Sequence, residues 1–162
     1  MDNHFLQSSK NLLARWKQLR SSLTSDMSDQ DQAQSVSLWW SLAPLGKPYL
    51  DYLNPKKWPD AWTLIDSKDF DQATISLGMF YTLLMSSDGR WTQDNLCMAF
   101  MRSVQMHHEN LCCILRGQLV IGWRHAVVDN LDQMNDITVL HRYTYDAAVR
   151  SMAEVKITDL TI

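Results

Sequence analysis

Apolar residues near the start of the chain recur at helical spacing, so residues 4–23 are predicted to form an amphipathic helix. A polar stretch then interrupts the pattern, and Ser28 followed by Asp31 resembles the capping box that opens a helix. This second helix is expected to end before Pro44, because a proline disfavours helical geometry in the residue that precedes it.

The most apolar segment of the chain, residues 71–85, is hydrophobic on nearly every side and predicts a central buried helix. Gly78 lies in its middle, where glycine costs about 1 kcal/mol relative to alanine. We expect a close approach by another backbone to account for this glycine. Ahead of this helix, Pro59 is expected to start a short helix that continues through Ile65.

After Gly89 the pattern changes to the shorter period of β-strands. Residues 95–105 are predicted to form one strand. Two β-rich runs at 110–116 and 118–123 meet at Gly117, where a tight turn requires a positive φ, so they predict a hairpin.

The last third of the chain predicts one more strand, over residues 137–145. Its sheet face is expected to carry Ile137, Val139, Tyr143 and His141. A short helix is expected over 146–153, and residues 155–162 are expected to form either a last strand or an arm onto a partner.

Together these elements predict an α+β fold in which N-terminal helices pack on a C-terminal antiparallel β-meander. A length of 162 residues, 46% of them apolar, suits one domain over residues 1–162. Within it, residues 1–65 form a helical part rich in tryptophan and proline, and residues 66–162 hold the buried helix and the sheet.

Charge and hydropathy narrow the classes of partner. A net charge of −3 provides no overall basic field for nucleic acid, although the first helix has a basic face. No run of 18 apolar residues is present and the N-terminus does not resemble a secretory signal, so we expect neither a membrane span nor secretion.

The N-terminal part contains an unusual concentration of aromatic residues. Of the seven tryptophans, five lie in the first 62 residues, and all four prolines lie between 44 and 60. Such side chains either pack helices onto a sheet or form a preordered contact surface. The candidates for contact with a partner are Trp39, Trp40, Tyr49, Tyr52 and Trp58.

No motif for a cofactor or a metal is found: the chain lacks a glycine-rich phosphate loop, HExxH, GxSxG and CxxC. Adjacent His107 and His108 point to opposite faces if they lie on a strand, which disfavours one shared metal. The three cysteines, Cys97, Cys112 and Cys113, fall in predicted strands among apolar neighbours. Such surroundings make a thiol unreactive.

Residues 66–128 are predicted to form five elements in order: a buried helix, a strand, a strand opened by His108, a tight turn and another strand. This order resembles the core of transglutaminase-like and papain-like cysteine hydrolases. In that family a catalytic cysteine starts the helix, a histidine opens a strand and an Asp or Asn follows on the next strand. Here the helix starts with Gln72-Ala73-Thr74, His108 takes the histidine position as a vestigial site, and Asp129 comes too late for the third.

A second resemblance involves Trp58-Pro59-Asp60-Ala61-Trp62-Thr63-Leu64-Ile65 and the sequence around it. This segment is similar to a pattern in small uncharacterised proteins of tailed bacteriophages. The resemblance implies a phage-encoded protein located in the virion, or in the host cytoplasm during assembly. It implies other phage structural proteins as partners and allows a homo-oligomer.

Three functions therefore remain open at the level of sequence. The leading hypothesis is a non-enzymatic phage structural or assembly protein that acts through protein–protein contacts. The first alternative is a cysteine-dependent hydrolase or transferase, which needs Cys97 or Cys112 beside His108 or His125. The second is a binding module for nucleic acid or for a host protein.

Overall fold

Four helices and a six-stranded antiparallel sheet make up the chain in a computed structural model that describes residues 3–47 and 50–156. The helices are α1 (Ser9–Ser22), α2 (Asp29–Trp40), α3 (Ala61–Ser67) and α4 (Gln72–Leu84). Short 3-10 turns occupy His4–Leu6, Pro55–Lys57 and Leu131–Gln133. The α+β prediction, with helices first and an antiparallel sheet after them, is confirmed.

The strands lie in the order β4-β3-β2-β1-β5-β6 across the sheet. They are β1 (Leu96–Ser103), β2 (His108–Leu115), β3 (Leu119–Ile121), β4 (Val128–Asn130), β5 (Ile137–Asp146) and β6 (Ser151–Val155). The chain runs as a meander from β1 to β4 and then returns to the other edge of β1. The predicted hairpin is present as β2 and β3.

The two faces of the sheet carry two separate apolar clusters. The larger cluster joins the sheet to the helices and includes Leu111, Cys113 and Leu115 of β2. The smaller one lies on the opposite face and includes Cys112 and Ile114 of the same strand. This division follows from the alternation of side chains along a strand.

Helix α4 lies at the centre of the larger cluster, and its residues 73–83 are all buried. A Cβ added to Gly78 would lie 2.4 Å from Cη2 of Trp40, closer than real contacts allow. The expectation of a neighbouring backbone at Gly78 is therefore wrong: the indole of Trp40 takes the space. Because glycine leaves this space, α2 can bury its last tryptophan completely against α4.

Several local predictions also need correction. Residues 4–23 are not one helix, because the extended backbone of Ser8 ends the first turn and its hydroxyl caps α1 at Asn11 N. Pro59 does not start α3; Asp60 does, as its N-cap.

Two strands correct the predictions for the end of the chain. No prediction from the sequence corresponds to β4. The helix expected over 146–153 is a turn followed by β6, which pairs with the open edge of β5.

The side chains of β5 do not share one face as predicted. Phe100 pairs with His141 and Met101 pairs with Val139, so Leu140 is an extra residue in the ladder. This bulge shifts the alternation. Val139 consequently packs in the smaller cluster with Ile137, whereas Tyr143 packs in the larger one.

Candidate functional site

The start of α4 is the position where the transglutaminase-like resemblance expects a nucleophile. Asp71 caps this helix by accepting a hydrogen bond from Thr74 N at 2.7 Å, and Asp71 N donates to the Thr74 hydroxyl at 2.8 Å. The first two helical residues are Gln72 and Ala73. The amide of Gln72 donates to the carbonyl of Gly122, 3.3 Å away, so this side chain is used to tie the helix to the end of β3.

His108 opens β2 as the resemblance requires, but it lies on the wrong face of the sheet. Cys113 faces α4, since its thiol donates to the carbonyl of Ser76 at 3.1 Å. His108 is five positions earlier, so strand alternation turns it to the opposite face. Its ring packs edge-on against Trp123 at 4.5 Å, and Nε2 lies 3.2 Å from the Trp123 carbonyl oxygen. His108 is therefore a packing residue in this arrangement.

Asp129, the residue considered for the third position of a catalytic triad, has no hydrogen bond or ion pair with His108 among the described residues. Asp129 lies on β4, where its carboxylate accepts three hydrogen bonds from the Arg124 guanidinium, at 2.5, 3.1 and 3.3 Å. That ion pair closes the turn between β3 and β4. Asp129 therefore holds a loop and does not orient an imidazole.

All three thiols are held in the protonated form by burial. Burial raises the pKa of Cys112 and Cys113, both fully buried. Burial also raises the pKa of the half-buried Cys97, although Arg142, with Nη1 3.9 Å from the sulfur, opposes that shift. Among the described residues no hydrogen bond joins Cys97 or Cys112 to His108 or His125.

The proposed partner-contact residues occupy different environments. The indoles of Trp40 and Trp58 are core side chains, with exposures of 0% and 8%, so they are removed as surface candidates. Trp39 and Tyr52 are half-buried: Trp39 stacks on His4 at 4.0 Å, and Tyr52 stacks on Phe100 at 4.3 Å. Tyr49 lies outside the described residues. For Trp39 and Tyr52 the contact role stays a prediction.

Trp62 is the exposed aromatic residue that sequence reasoning missed. Its side chain is 51% exposed, whereas its neighbours Ala61, Leu64 and Ile65 are buried. The signal was available, because helical spacing places Ala61, Leu64 and Ile65 on one face and Trp62 beside it. Trp62 lines a cleft of about 550 Å³ at the far end of α4.

Two further observations concern metal ions and membranes. Across 3–47 and 50–156, no cluster of three His, Cys, Asp or Glu side chains is arranged to hold a metal ion. No helix in the same ranges is long and apolar enough to cross a membrane.

Comparison with known proteins shows the fold. No protein-family model matches this chain, and no curated protein matches it. Solved structures of Legionella pneumophila LapG match this chain at 12% sequence identity. One gives a TM-score of 0.66 over 85% of this chain and 77% of LapG, and a calcium-bound one gives 0.67 over the same shares. An EGTA-treated one gives 0.67 over 94% and 80%.

The likeness to LapG shows that this chain has a transglutaminase-like fold. It supports the first resemblance at the level of fold and gives no support to the phage resemblance.

Proposed function

We propose that this chain is a non-enzymatic protein that acts through protein–protein contacts on a transglutaminase-like scaffold. The observation that carries the proposal is the start of α4, where Gln72 and Ala73 stand in place of a nucleophile. A fold does not by itself supply an activity, because function depends on the residues of the site.

The electrostatics of the helix start support the same conclusion. A helix N-terminus lowers a thiol pKa because its free N–H groups and dipole stabilise the thiolate. Here Asp71 already places a carboxylate on those groups. A thiolate beside Asp71 would be repelled by its carboxylate, so this helix start does not favour a thiolate.

The LapG likeness favours the cysteine-hydrolase alternative at the level of fold. Cys97 is the thiol on which such an activity would depend, because it is the least buried and the only one with a neighbouring cation among the described residues. However, Cys97 projects into the smaller cluster, on the face away from α4. An activity there would need a site unrelated to the helix start.

Thiol alkylation distinguishes the two proposals. The native protein is treated with iodoacetamide at pH 7, and the labelling of each cysteine is followed by mass spectrometry against the urea-unfolded chain. We expect every thiol to react more slowly in the native protein, by roughly a hundredfold or more for the fully buried ones. A Cys97→Ser variant serves as the control that assigns the fastest label.

Labelling of any native thiol faster than in the unfolded chain would contradict the non-enzymatic proposal. It would also identify the cysteine on which the hydrolase alternative depends. Slow labelling of all three thiols leaves the hydrolase alternative without a nucleophile of the expected type.

A role in phage assembly is the finer form of the proposal, and the resemblance of residues 58–65 to phage proteins supports it. The partners are then other phage structural proteins, contacted through half-buried aromatics such as Trp39 and Tyr52. We expect proteomics to detect the protein in purified virions or in assembly intermediates. Absence from both preparations, with known structural proteins detected as the control, would remove this form.

A further inference from the structure

A cleft opens at the C-terminal end of α4. It measures about 550 Å³, within the range of ordinary small-molecule pockets. Tyr81 lines it from α4, Met85 from the C-cap of that helix and Trp62 from α3. Tyr145 and Arg150 line it from β5 and the β5–β6 turn. It therefore lies at the opposite end of α4 from the missing nucleophile.

The aromatic side chain of Trp62 is held in place although half of it is exposed. It meets Trp16 edge-on at 5.3 Å, and the guanidinium of Arg20 lies over both indoles, 4.1 Å from Trp16 and 5.5 Å from Trp62. A rigid, exposed aromatic ring loses little conformational entropy when a ligand packs on it.

The charges of the cleft favour an anion. Lys56 and Arg150 line it from separate elements, and neither forms an ion pair with any described residue. Asp60 is the one acidic lining residue, and its carboxylate is already used as the N-cap of α3, accepting from Thr63 N at 2.8 Å. The Tyr145 hydroxyl makes no hydrogen bond within the described residues, so it is available as a donor.

We infer that this cleft binds a small anionic aromatic molecule, with its ring against Trp62 and its carboxylate or sulfonate between Lys56 and Arg150. The inference goes beyond the proposed function and does not depend on the thiols. A flat ring matches the aromatic lining, and two cations from separate elements match one anionic group.

Three probes of the same shape and different charge test the inference: 2-naphthoate, 2-naphthamide and 2-naphthylmethylammonium. Binding is followed in protein labelled with ¹⁵N-tryptophan, which has seven indole N–H signals. We expect the Trp62 signal to shift on titration, while the Trp91 signal stays, since its indole donates to Gln32 in the core. The anion should bind about tenfold more tightly than the amide, as two ion pairs to exposed cations allow.

The Lys56→Gln/Arg150→Gln double variant should bind the amide as the parent does and lose the preference for the anion. Trp62→Ala should weaken all three probes by about tenfold or more, as loss of an aromatic anchor does. Lys10→Gln, which removes an exposed lysine of α1 outside the cleft, is the matched control and should change nothing.

Equal affinity for the three probes would overturn the inference, as would a double variant that keeps the preference for the anion. Shifts that spread over indoles away from the cleft, or no saturable binding of 2-naphthoate, would overturn it as well. Because none of these outcomes involves a cysteine, they are independent of the alkylation result.

Discussion

At the scale of single residues, the hydroxyl of Thr82 satisfies two buried indoles at once. It accepts from Trp16 Nε1 at 2.8 Å and from Trp40 Nε1 at 2.9 Å, and it donates to the carbonyl of Gly78 at 2.7 Å. Buried polar groups in proteins are hydrogen-bonded because unpaired ones are costly. This small network lets α1 and α2 bury two tryptophans against α4.

A Thr82→Val variant should therefore be strongly destabilised. Valine has nearly the shape of threonine but leaves both indole N–H groups without an acceptor, and each buried unsatisfied donor costs about 1–3 kcal/mol. We expect a loss of roughly 2–5 kcal/mol in the free energy of unfolding, measured by urea titration.

Thr63→Val on the exposed surface of α3 is the matched control, and it should change stability by less than about 0.5 kcal/mol. A Thr82→Val protein as stable as the parent would show that the two indoles find other acceptors.

At the scale of elements, two contacts hold the layers in position. Gly78 lets α2 and α4 approach closely through Trp40. Arg90 joins the loop before β1 to the start of α2, because it pairs with Asp29 at 2.9 Å. Within the loop, it also pairs with Asp88 at 2.6 Å. The contacts of Gly78 with Trp40 and of Arg90 with Asp29 connect segments that are far apart in sequence.

Gly78→Ala should destabilise the protein even though alanine is the better helix former. The added methyl group overlaps the Trp40 ring, and overpacking of this kind costs about 1–3 kcal/mol. In a Trp40→Phe background the atoms that clash are gone, so the same substitution should be neutral or stabilising. Urea titrations of the parent, Gly78→Ala, Trp40→Phe and the double variant give a double-mutant cycle. Equal effects in the two backgrounds would mean that Trp40 does not require the glycine.

Arg90→Gln should also weaken the fold, because it leaves the nearly buried carboxylate of Asp88 without its cation. Burial acts to raise the pKa of Asp88, but the hydrogen bonds that its carboxylate accepts from Arg90, Gln32 and Ser86 together hold the pKa below its usual value. We expect a loss of roughly 1–3 kcal/mol from thermal or urea unfolding.

Arg102→Gln provides the comparison for Arg90. It removes an ion pair with Glu109 in which both side chains are nearly half exposed, at 46% and 45%. Such surface pairs contribute at most about 1 kcal/mol. If the two variants lose the same stability, the Arg90 cluster has no special role.

At the scale of the whole molecule, the buried thiols make stability depend on alkaline pH. Burial raises the pKa of Cys112 and Cys113 above the ordinary value of 9.0, and it also raises that of Tyr81 above 10.0. These groups stay protonated in the folded chain while they ionise in the unfolded chain. Their contribution to stability is therefore complete below about pH 9 and decreases as the pH rises above it.

The urea midpoint should decrease as the pH is raised from about 9 to about 10.5, with about 1.4 kcal/mol of unfolding free energy lost per pH unit for each thiol that ionises only on unfolding. A Cys113→Ala variant should be less stable overall. Its free energy of unfolding should decrease less steeply with pH, because one proton fewer is released on unfolding. Midpoints that do not change over this range would mean that the thiols ionise in the folded state.

Much of the fold could be predicted because the signals are local. Ser28 caps α2 as expected from its spacing to Asp31, and Asp71 caps α4. The hairpin of β2 and β3 followed from two β-rich runs around Gly117, which has a φ of +66°. In each case the deciding interactions lie within a few residues of one another.

The candidate site could be predicted only in part. The sequence shows that no cysteine lies at the start of α4. It does not show that His108 faces away from α4, because strand alternation fixes the face of a side chain only once the strand pairing is known. The Leu140 bulge shows the same limit, since it moves Val139 and Tyr143 to opposite faces through pairing with β1.

The sequence by itself determined the types of the main elements, the cap that starts α2 and the absence of a cysteine from the first residues of α4, since these depend on residues close together in the chain. Only the tertiary structure decided which aromatics are buried, which face each polar side chain takes and where the cleft lies. Those outcomes depend on contacts between distant segments, such as Trp40 with Gly78 and Trp62 with Trp16. The pattern of one segment does not contain them.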